Sequence, residues 1–344
     1  MIKTAVVILN WNGKHFLEKF LPALLNYSSG DDTDVIIADN ASTDDSISFL
    51  KTHYPTLRLV ILDKNYGFTG GYNRALAQIE AKYYILINSD IEVTPNWTKP
   101  LIETLDSDEQ IAACQPKIKS YHQRDFFEYA GASGGFIDKF GYPFCRGRIL
   151  NNLEMDKEQY DDIKEVFWAT GACIAVKADL FHKAGGFDDD FFAHMEEIDL
   201  CWRLKNLGYK IMVNPQSEVF HVGGGTLPNN SPFKLYLNFR NNLFLLYKNL
   251  PPHKLYSILF ARMALDGISA LMFLAKFSFS GFNAVFKAHI HFYKSIKKLR
   301  VKRNNMATLG IKPCYHTQIY HKSIVIDFYI RRKQKFIELP FHIT

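Results

Sequence analysis

The chain has 344 residues, of which 47% are hydrophobic and 22% charged, a composition typical of a globular protein with one large core or two modest ones. Its five cysteines include no Cys-x-x-Cys pair, which argues against a zinc knuckle or a disulfide framework and indicates a reducing compartment. The apolar run after Met1 stops at Asn10 and is too short for a signal peptide, so we expect a cytoplasmic protein.

The net charge of +6 is unevenly distributed along the chain. Residues 254–344 hold 16 Lys and Arg against three Asp and Glu, whereas residues 1–253 hold 25 against 32. Six of the basic residues follow a segment rich in Phe and Leu, and this combination favours an anionic membrane surface over nucleic acid as the partner. They are Lys294, Lys297, Lys298, Arg300, Lys302 and Arg303.

The N-terminal part alternates predicted strands and helices. Such alternation with short connections predicts a parallel sheet with helices on both faces, in which ligands bind at the carboxyl ends of the strands. Four polar residues fall just beyond those ends: Asn10, Asp39, Asn65 and Asp90. The predicted strands are 4–10, 35–38, 57–62 and 83–87, and the predicted helices are 14–25, 42–54 and 71–81.

Beyond a strand at 111–118 the pattern becomes irregular. A predicted strand at 167–176 and helices at 179–184 and 197–206 follow, and from about Phe233 the remainder is predicted to be helical. We expect breaks in those helices at residues 251–252 and near residues 280–281, and a domain boundary near residue 230.

A glycine-rich loop spans residues 65–73, between a predicted strand and a predicted helix. Backbone N–H groups and the helix dipole can hold an anion at such a place. A tight turn with a close helix–strand crossing explains the glycines equally well. The loop lacks the Gly-x-Gly-x-x-Gly pattern and follows the third strand rather than the first, which disfavours a dinucleotide-binding dehydrogenase.

Carboxylates follow two of the predicted strands. Asp90 comes after Asn88 and Ser89 at the end of an apolar strand, where it could hold a hard divalent cation together with substrate phosphates. Asp39 could accept a hydrogen bond from a pyrimidine N–H, or it could be a turn or cap acid.

A second polar cluster lies further along the chain. Glu196, Glu197 and Asp199 open a predicted helix, and His221 ends the strand that follows. An enzyme that deprotonates a hydroxyl and holds a metal needs such groups. The same acids would also suit the helix dipole, Asp199 is spaced for an i,i+4 pair with Arg203, and His221 could be a core histidine.

Together these motifs resemble those of the family 2 inverting glycosyltransferases, in particular the rhamnosyltransferase-like branch with a GT-A fold. The resemblance runs from Val6 to about His221, with a weaker match at residues 239–242, and the order and spacing of the motifs agree throughout. The motifs stand at residues 9–12, 39–44, 65–73, 88–90, 170–172, 186–188 and 196–200, and at His221.

The resemblance implies a fold and a division of the chain. The fold would be α/β, a Rossmann-like mixed sheet that binds a nucleotide sugar, followed by a helical, basic amphipathic extension. Residues 1–230 would form the catalytic domain and residues 231–344 a helical region that associates with the membrane.

The resemblance also implies roles for single residues. Asp90 and His221 would hold Mg²⁺ or Mn²⁺ on the donor diphosphate, and Glu197 would be the general base. Glu196 stays a rival, because the family usually has the shorter Asp at the base position. The nucleotide sugar would contact Asn10, Asn12, Asp39, Asn65, Gly67, Phe68, Gly71, Asn73, Asn88 and Ser89, and the acceptor or donor sugar would contact Trp168, Gly171, Ala172, Asp188 and Asp199.

The implied reaction moves a sugar from dTDP-rhamnose or a UDP-sugar to a hydroxyl of a glycan or a polyprenyl-linked acceptor, in the synthesis of a cell-surface polysaccharide. A metal can neutralise the leaving diphosphate. A carboxylate on the opposite face can deprotonate the acceptor, a contribution of typically ~10²–10⁴-fold. In-line attack then inverts the anomeric centre.

Two other classes of protein stay open at this point. A sugar-nucleotide pyrophosphorylase would need a glycine-rich basic loop directly after the first strand, and residues 10–14 match that pattern poorly. A non-catalytic carbohydrate-binding scaffold would keep the fold, but the joint presence of Asp90, Glu197 and His221 argues against it.

Residues 254–303 are predicted to lie on a membrane surface rather than to cross it. Residues 255–260 and 271–274 are strongly apolar, but Arg262, Asp266 and Lys276 interrupt them, so no uncharged run approaches the ~20 residues of a span. We therefore expect a peripheral protein on the inner face of the cytoplasmic membrane. A helical pair packed on the catalytic domain or forming a dimer interface is the alternative.

Overall fold

The computed structural model describes residues 2–28, 30, 32–223 and 231–341. The strands in these residues are β1 (Ile2–Asn10), β2 (Thr33–Asp39), β3 (Arg58–Ile61), β4 (Ala81–Ile87), β5 (Ile91–Val93), β6 (Ile111–Ser120), β7 (Gly135–Asp138), β8 (Pro143–Cys145), β9 (Arg148–Ile149), β10 (Asn152–Leu153), β11 (Lys164–Val166), β12 (Cys173–Lys177), β13 (Lys210–His221) and β14 (Ile319–Tyr320).

The α-helices are α1 (Lys14–Ser28), α2 (Ser46–His53), α3 (Gly67–Leu76), α4 (Thr98–Ser107), α5 (Ala178–Lys183), α6 (Glu196–Asn206), α7 (Pro232–Asn249), α8 (Pro252–Ala275), α9 (Phe279–Thr308) and α10 (Ile324–Tyr329). A short 3₁₀ helix covers Phe336–Glu338.

A large mixed sheet forms the centre of the catalytic part, with the strand order β11-β13-β6-β12-β4-β1-β2-β3 and with β5 paired to β13. Strands β3, β2, β1 and β4 are parallel, as the alternation of strands and helices predicts. Val6 and Val7 point to opposite faces and are both fully buried, because helices cover the two faces of this half. The register pairs Asn10 with Asp39, so both strands end at the same edge.

The other half of the sheet is mixed. Strand β12 runs antiparallel between β4 and β6, and β13 lies parallel to β6 and antiparallel to β11. The last residues of β13 pair with β5, which sets His221 opposite Ile91, the residue after Asp90. The topology therefore brings two distant parts of the chain to the same edge as Asn10 and Asp39.

Helix α3 begins at Gly67, four residues before the predicted start. The glycines lie inside this helix rather than in a loop before it. A Cβ at Gly71 would lie 2.8 Å from the Leu9 side chain, so the missing side chain lets the helix pack closely on β1. The close-crossing interpretation of these glycines is thus the one that the structure supports.

The C-terminal part contains three long helices, α7, α8 and α9. The chain breaks after Asn249 and between Ala275 and Phe279, close to the expected positions. The prediction that everything after Phe233 is helical is wrong, because Ile319 and Tyr320 form β14. This strand completes a second sheet of order β10-β9-β8-β7-β14, so the chain returns to the catalytic part through backbone hydrogen bonds that helical periodicity does not reveal.

Candidate functional site

The polar residues at the ends of β1 and β2 bind one another. Asn10 Nδ2 donates to Asp39 Oδ2 at 3.0 Å and to Ser42 Oγ at 3.1 Å. Asp39 Oδ1 accepts the backbone N–H of Ser42 at 2.8 Å. Asn10 Oδ1 is buried and unpartnered, so one acceptor atom of this cluster stays open to a ligand or a water molecule.

The next asparagines of the motifs organise the loops around this edge. Asn12 Oδ1 accepts from the backbone N–H groups of Thr43 and Asp44, at 2.7 and 3.2 Å. Asn65 Oδ1 accepts the Gly67 N–H at 2.8 Å and Asn40 Nδ2 at 3.0 Å. These side chains therefore shape the expected nucleotide site through the backbone that they hold.

Helix α3 connects this edge to the segment that precedes the second acidic cluster. Asn73 Nδ2 donates to the Phe187 carbonyl at 2.8 Å, and Asn73 Oδ1 accepts the Phe187 N–H at 2.9 Å. The Phe68 ring lies 5.8 Å from the Phe187 ring. A Cβ at Gly171 would lie 3.5 Å from the same Phe68 ring and 3.7 Å from Glu197 Cβ, so Gly171 forms a small gap between them.

Asp90 and His221 meet at the sheet edge, as the metal hypothesis requires. His221 Nε2 lies 3.2 Å from Asp90 Oδ1, and both side chains are almost completely buried. Asn88 and Ser89 precede them at half-buried positions, and the Asn88 N–H donates to the Ala172 carbonyl at 2.9 Å. This bond joins the end of β4 to the turn that carries Gly171.

A third carboxylate, Glu128, lies on the other side of the imidazole. Glu128 Oε2 is 3.1 Å from His221 Nδ1 and also accepts the Ala130 N–H at 2.6 Å. Glu128 could not be predicted from the sequence, because it stands in an irregular segment without a local motif. A carboxylate at the far nitrogen of a metal-binding histidine commonly fixes the orientation of the ring.

The charges in this row stabilise one another. Burial raises the pKa of Asp90, but the charge of His221 and the hydrogen bonds to the carboxylate together outweigh that effect and hold the pKa below 3.8. Burial lowers the pKa of His221, but Glu128 and Asp90 together raise it to about 10.

The donor set at this edge suits a divalent cation. Carboxylate and imidazole atoms 3.2 Å apart are hard or borderline ligands, and the two carboxylates favour positive charge between them. Within the described residues no group of three or more His, Cys, Asp or Glu is arranged to hold a metal ion. A cation bound here would therefore take Asp90 and His221 and complete its shell with water and phosphate oxygens.

The second acidic cluster begins α6. Glu196 is buried, Glu197 is half-buried, and the Oε2 atom of each is buried without a hydrogen-bond partner. Burial raises the pKa of Glu197 to about 7. Burial and the neighbouring Glu197 raise the pKa of Glu196 well above its usual range. Near neutral pH, Glu197 can therefore exchange a proton.

Asp188 and Asp199 lie in a buried ion network beneath this helix. Asp199 is completely buried and binds Arg203 at 2.8 Å, Lys248 at 2.9 Å and Asn249 at 2.8 Å. Asp188 binds Lys248 at 2.6 Å, and it also pairs with Lys302. The expectation that these two acids contact a sugar is corrected, because their oxygens are directed to cations inside the protein.

The residues before β12 lie partly in the core and partly at the candidate site. Trp168 is buried, and its Nε1 donates to the Phe136 carbonyl at 2.9 Å, so this ring is a core residue and not a sugar contact as expected. Ala172 is buried too and accepts the Asn88 N–H. Gly171, the third of the predicted residues, adjoins both Phe68 and Glu197.

Known proteins resemble this chain in sequence. The profile of the family described as "Glycosyl transferase family 2" matches residues 5–183. The N-acetylglucosaminyl-diphospho-decaprenol L-rhamnosyltransferase of Mycobacterium tuberculosis is 27% identical over 234 residues, which cover 63% of this chain and 75% of that protein. Rhamnosyltransferase WbbL of Escherichia coli K12 is 27% identical over 222 residues, 60% of this chain and 80% of that protein.

Solved structures share the fold at low sequence identity. GalNAc-T7 with UDP, GalNAc and Mn²⁺ superposes with a TM-score of 0.58 at 14% identity, over 74% of this chain and 49% of that chain. The mannosyltransferase PcManGT from Pyrobaculum calidifontis, in complex with GDP-Man and Mn²⁺, gives a TM-score of 0.52 at 13% identity, over 96% of this chain and 88% of that chain. The predicted GT-A fold is thereby confirmed.

Proposed function

The chain belongs to glycosyl transferase family 2, and from this premise we propose that it is an inverting, metal-dependent enzyme that moves a sugar from a nucleotide-diphosphate donor to an acceptor hydroxyl. The observation that carries the proposal is the Glu197 carboxylate. It has an unpartnered buried oxygen and a pKa of about 7, and it stands beside Gly171. A base with a pKa near the working pH transfers protons most effectively.

The positions of the two acidic sites support inversion. Glu197 adjoins Gly171, and the next residue, Ala172, is bonded to Asn88 of the strand end that carries Asp90. A base on one side and a diphosphate site on the other flank the space where a sugar would lie. A base that activates the acceptor on the face opposite the leaving group produces inversion at the anomeric carbon.

The proposed metal site consists of Asp90 and His221, with Glu128 on the far nitrogen of the imidazole. A bound Mg²⁺ or Mn²⁺ would supply positive charge to the leaving diphosphate. Glu128 would fix the ring so that Nε2 stays directed to Asp90. Solved structures of the same fold contain Mn²⁺ with a nucleotide or nucleotide sugar, which supports this assignment.

We further propose that the acceptor is a polyprenyl-linked glycan and that the donor carries rhamnose. The support is the relative from M. tuberculosis, whose name specifies a rhamnosyl transfer to a decaprenyl-diphosphate-linked sugar, together with the E. coli rhamnosyltransferase. Such a pair of substrates would place the enzyme in the synthesis of a cell-surface polysaccharide.

A panel of sugar nucleotides tests the reaction. Purified protein is incubated with dTDP-rhamnose, UDP-galactose and other donors, with Mn²⁺, Mg²⁺ or chelator and a lipid-linked acceptor, and the release of nucleoside diphosphate is measured. We expect release that depends on the metal and a product of inverted anomeric configuration by NMR. Formation of a nucleoside triphosphate from the donor and pyrophosphate would instead identify a pyrophosphorylase, and no turnover with any donor would favour a binding protein.

Membrane association is proposed for α8 and α9. Tyr256 and Phe260 of α8 are 75% and 78% exposed, and Leu271, Phe277 and Phe279 continue an apolar surface around the turn between the helices. An exposed apolar face of this extent is typical of a contact with lipid or with a partner. The basic residues that follow on α9 favour anionic lipid.

The basic cluster that faces outward is smaller than the sequence suggests. Lys298 and Lys302 pair with Asp190, and Arg303 donates to the carbonyls of Tyr247 and Leu250. Within the part of the chain that the structure describes, the other three basic side chains have no ion pair and remain available to a surface: Lys294, Lys297 and Arg300.

Helix α8 is long and apolar enough to cross a membrane by length and composition, with a mean hydropathy of 1.8. We nevertheless propose surface attachment, because its inner face carries the buried pair of Arg262 and Asp266, 2.8 Å apart. Arg262 also binds Asn242 and lies 4.0 Å from the Tyr142 ring, so this face is anchored on the catalytic part.

Liposome co-sedimentation tests the attachment. Binding should require anionic lipid, weaken with salt, and decrease when Lys294, Lys297 and Arg300 are changed to Gln, since each contributes about 1 kcal/mol near an anionic surface. Substitution of Lys99 by Gln should leave lipid binding unchanged, because this exposed lysine stands on α4, which packs on β6 and β13. Binding that resists high salt and alkaline carbonate would indicate a span, and no binding would indicate packed helices.

A further inference from the structure

The segment that leads into α6 has an unusual backbone. Phe192, His194 and Met195 have φ values of 64°, 69° and 71°, in the left-handed region that residues with side chains rarely adopt. Met195 is the N-cap of α6, directly before Glu196 and Glu197. Residues in such conformations persist only when their surroundings hold them there.

A buried asparagine of α7 holds this segment. Asn241 is fully buried, and its Nδ2 lies 2.9 Å from the Phe191 carbonyl oxygen, 2.8 Å from that of Ala193 and 2.7 Å from that of His194. One amide group thus donates to three carbonyls around the left-handed residues.

Arg240 sets the direction of that amide. Its Nε donates to Asn241 Oδ1 at 2.9 Å, which leaves the Nδ2 atom of Asn241 directed to the segment. The guanidinium also donates to the carbonyls of Asp190 and Phe191, at 2.9 and 3.1 Å. Two successive residues of α7 therefore bind the backbone from Asp190 to His194.

The same segment contacts the nucleotide side of the site. The Phe68 N–H donates to the Phe192 carbonyl at 3.1 Å, and a Cβ at Gly67 would lie 2.7 Å from the Phe192 ring. Residues 191–195 thus lead directly into α6 and also contact the first residues of α3. Their position therefore affects the start of both helices.

We infer that Asn241, oriented by Arg240, is a positioning residue that holds residues 191–195, with their three left-handed residues, and thereby sets the Glu197 carboxylate in its desolvated place beside Gly171. This inference rests on the proposed role of Glu197 as the base. The inference includes no contact between a substrate and either Asn241 or Arg240.

The surroundings of Glu197 make its protonation a sensitive measure of this position. Besides burial, Glu197 raises the pKa of three buried neighbours: Glu196 on the same helix, Cys201 one turn further and Cys145 of β8. Burial raises the pKa of Cys201 to about 12 and that of Cys145 above its usual range. Burial and Lys234 lower the pKa of His194 to about 4, whereas burial raises that of Glu197 to about 7.

The test compares Asn241→Ala with Asn242→Ala. Asn242 is the next residue of the same helix and is equally buried, but its Nδ2 donates to the Gly141 carbonyl, away from the segment. In Asn241→Ala we expect kcat to fall about 10²-fold, the effect of a small misplacement of a catalytic group. The donor KM should change little.

The pH profile of kcat separates positioning from general destabilisation. In Asn241→Ala the loosened segment admits water to Glu197, so the acid limb should move from about pH 7 toward 4.5, the ordinary pKa of a glutamate. Hydrogen–deuterium exchange of residues 187–197 should rise in the same variant. Asn242→Ala should keep the wild-type limb and exchange, even if its melting temperature falls.

Two further variants ensure that the experiment either supports or contradicts the inference. If Asn241→Ala does not fold, Arg240→Met gives the result, because Arg240 is only half-buried and its loss should shift the limb in the same direction by a smaller amount. A wild-type kcat and acid limb in the folded Asn241→Ala variant, or in Arg240→Met where that variant must decide, would overturn the inference. Glu197→Gln is measured in parallel: if it stays active, the base assignment fails, whereas an inactive Glu197→Gln beside an unaltered Asn241→Ala rejects only the positioning role.

Discussion

The two halves of the candidate site differ in the kind of buried atom that they leave unpaired: an amide oxygen of Asn10 in one half, and carboxylate oxygens of Glu196 and Glu197 in the other. At the ends of β1 and β2, Asn10, Asp39 and Ser42 bind one another, and Asn65 binds the backbone of its own loop. At the start of α6, Glu197 keeps a buried oxygen without a partner.

On the proposed assignments, the strand ends bind the nucleotide and the start of α6 carries the group that takes a proton. Satisfied hydrogen bonds fix loops at little cost, which suits a preformed nucleotide site. A desolvated carboxylate with one unpartnered oxygen is costly to the fold, but its raised pKa lets it take a proton near neutrality. Substitutions in the two halves should therefore affect different properties of the enzyme.

The largest effect is expected at Glu197. Glu197→Gln keeps the shape of the side chain but cannot accept a proton, so kcat should fall ~10²–10⁴-fold. Donor KM should stay nearly constant, because the amide removes no contact with the nucleotide. Steady-state kinetics with a saturating acceptor measure both values. If Glu196→Gln is the inactive variant and Glu197→Gln is not, the roles of the two acids are exchanged.

The second effect concerns the metal site at the sheet edge. Asp90→Ala and His221→Ala should each abolish metal-dependent turnover in a folded protein. Glu128→Gln, which leaves both proposed ligands in place, should weaken Mn²⁺ binding about 10–100-fold. Mn²⁺ binding followed by electron paramagnetic resonance gives a measure that does not depend on turnover. Full activity of the two alanine variants in chelator would contradict the assignment.

The third effect is on stability and tests the ion network beneath α6. Asp199→Ala leaves buried Arg203 without its carboxylate partner and leaves buried Lys248 with Asp188 alone. Breaking such a buried pair should reduce the free energy of unfolding by about 3–5 kcal/mol. The control is Asp189→Ala, whose pair with Arg74 is exposed and should contribute only about 0–1 kcal/mol. Urea denaturation distinguishes them, and equal losses would show that the network is not the support of α6.

The smallest effect is the pH dependence of stability. The pKa of Glu197 is higher in the folded protein, at about 7, than the 4.5 of an ordinary glutamate, so the folded chain binds more protons between these values. Its contribution to stability is complete below pH 4.5 and is lost as the pH rises through 7. Glu197→Gln removes this loss and should stabilise the protein at pH 8 by about 1–3 kcal/mol relative to wild type. Urea titrations at pH 5 and pH 8 check the difference, and parallel curves for the two proteins would contradict it.

The sequence predicted the parallel half of the sheet and its polar strand ends because those features are local. An apolar run that ends in Asn10 or Asp90 is visible without knowledge of its neighbours. His221 could be joined to Asp90 only through the family resemblance, since β13 and β5 pair across a long stretch of chain. The structure places the two side chains together.

Other parts of the site depend on contacts that no local pattern records. Glu128 stands outside any motif, and the bonds from Asn241 to three carbonyls exist only after α7 packs on the segment before α6. In the sequence, Asp188 and Asp199 look like acids that could bind a ligand. Their burial against Lys248 depends on tertiary contacts that the sequence does not show. Likewise, three of the six clustered basic residues on α9 bind the chain itself rather than facing outward.

The pH dependence of kcat is the most direct test of the central claim, that Glu197 is a base whose pKa is raised by burial. The wild-type enzyme should show an acid limb near pH 7, because Glu197 must be deprotonated to accept the hydroxyl proton. Glu196→Gln should keep that limb in place. A limb near 4.5 in the wild-type enzyme, or one that disappears in Glu196→Gln while Glu197→Gln retains it, would contradict the account.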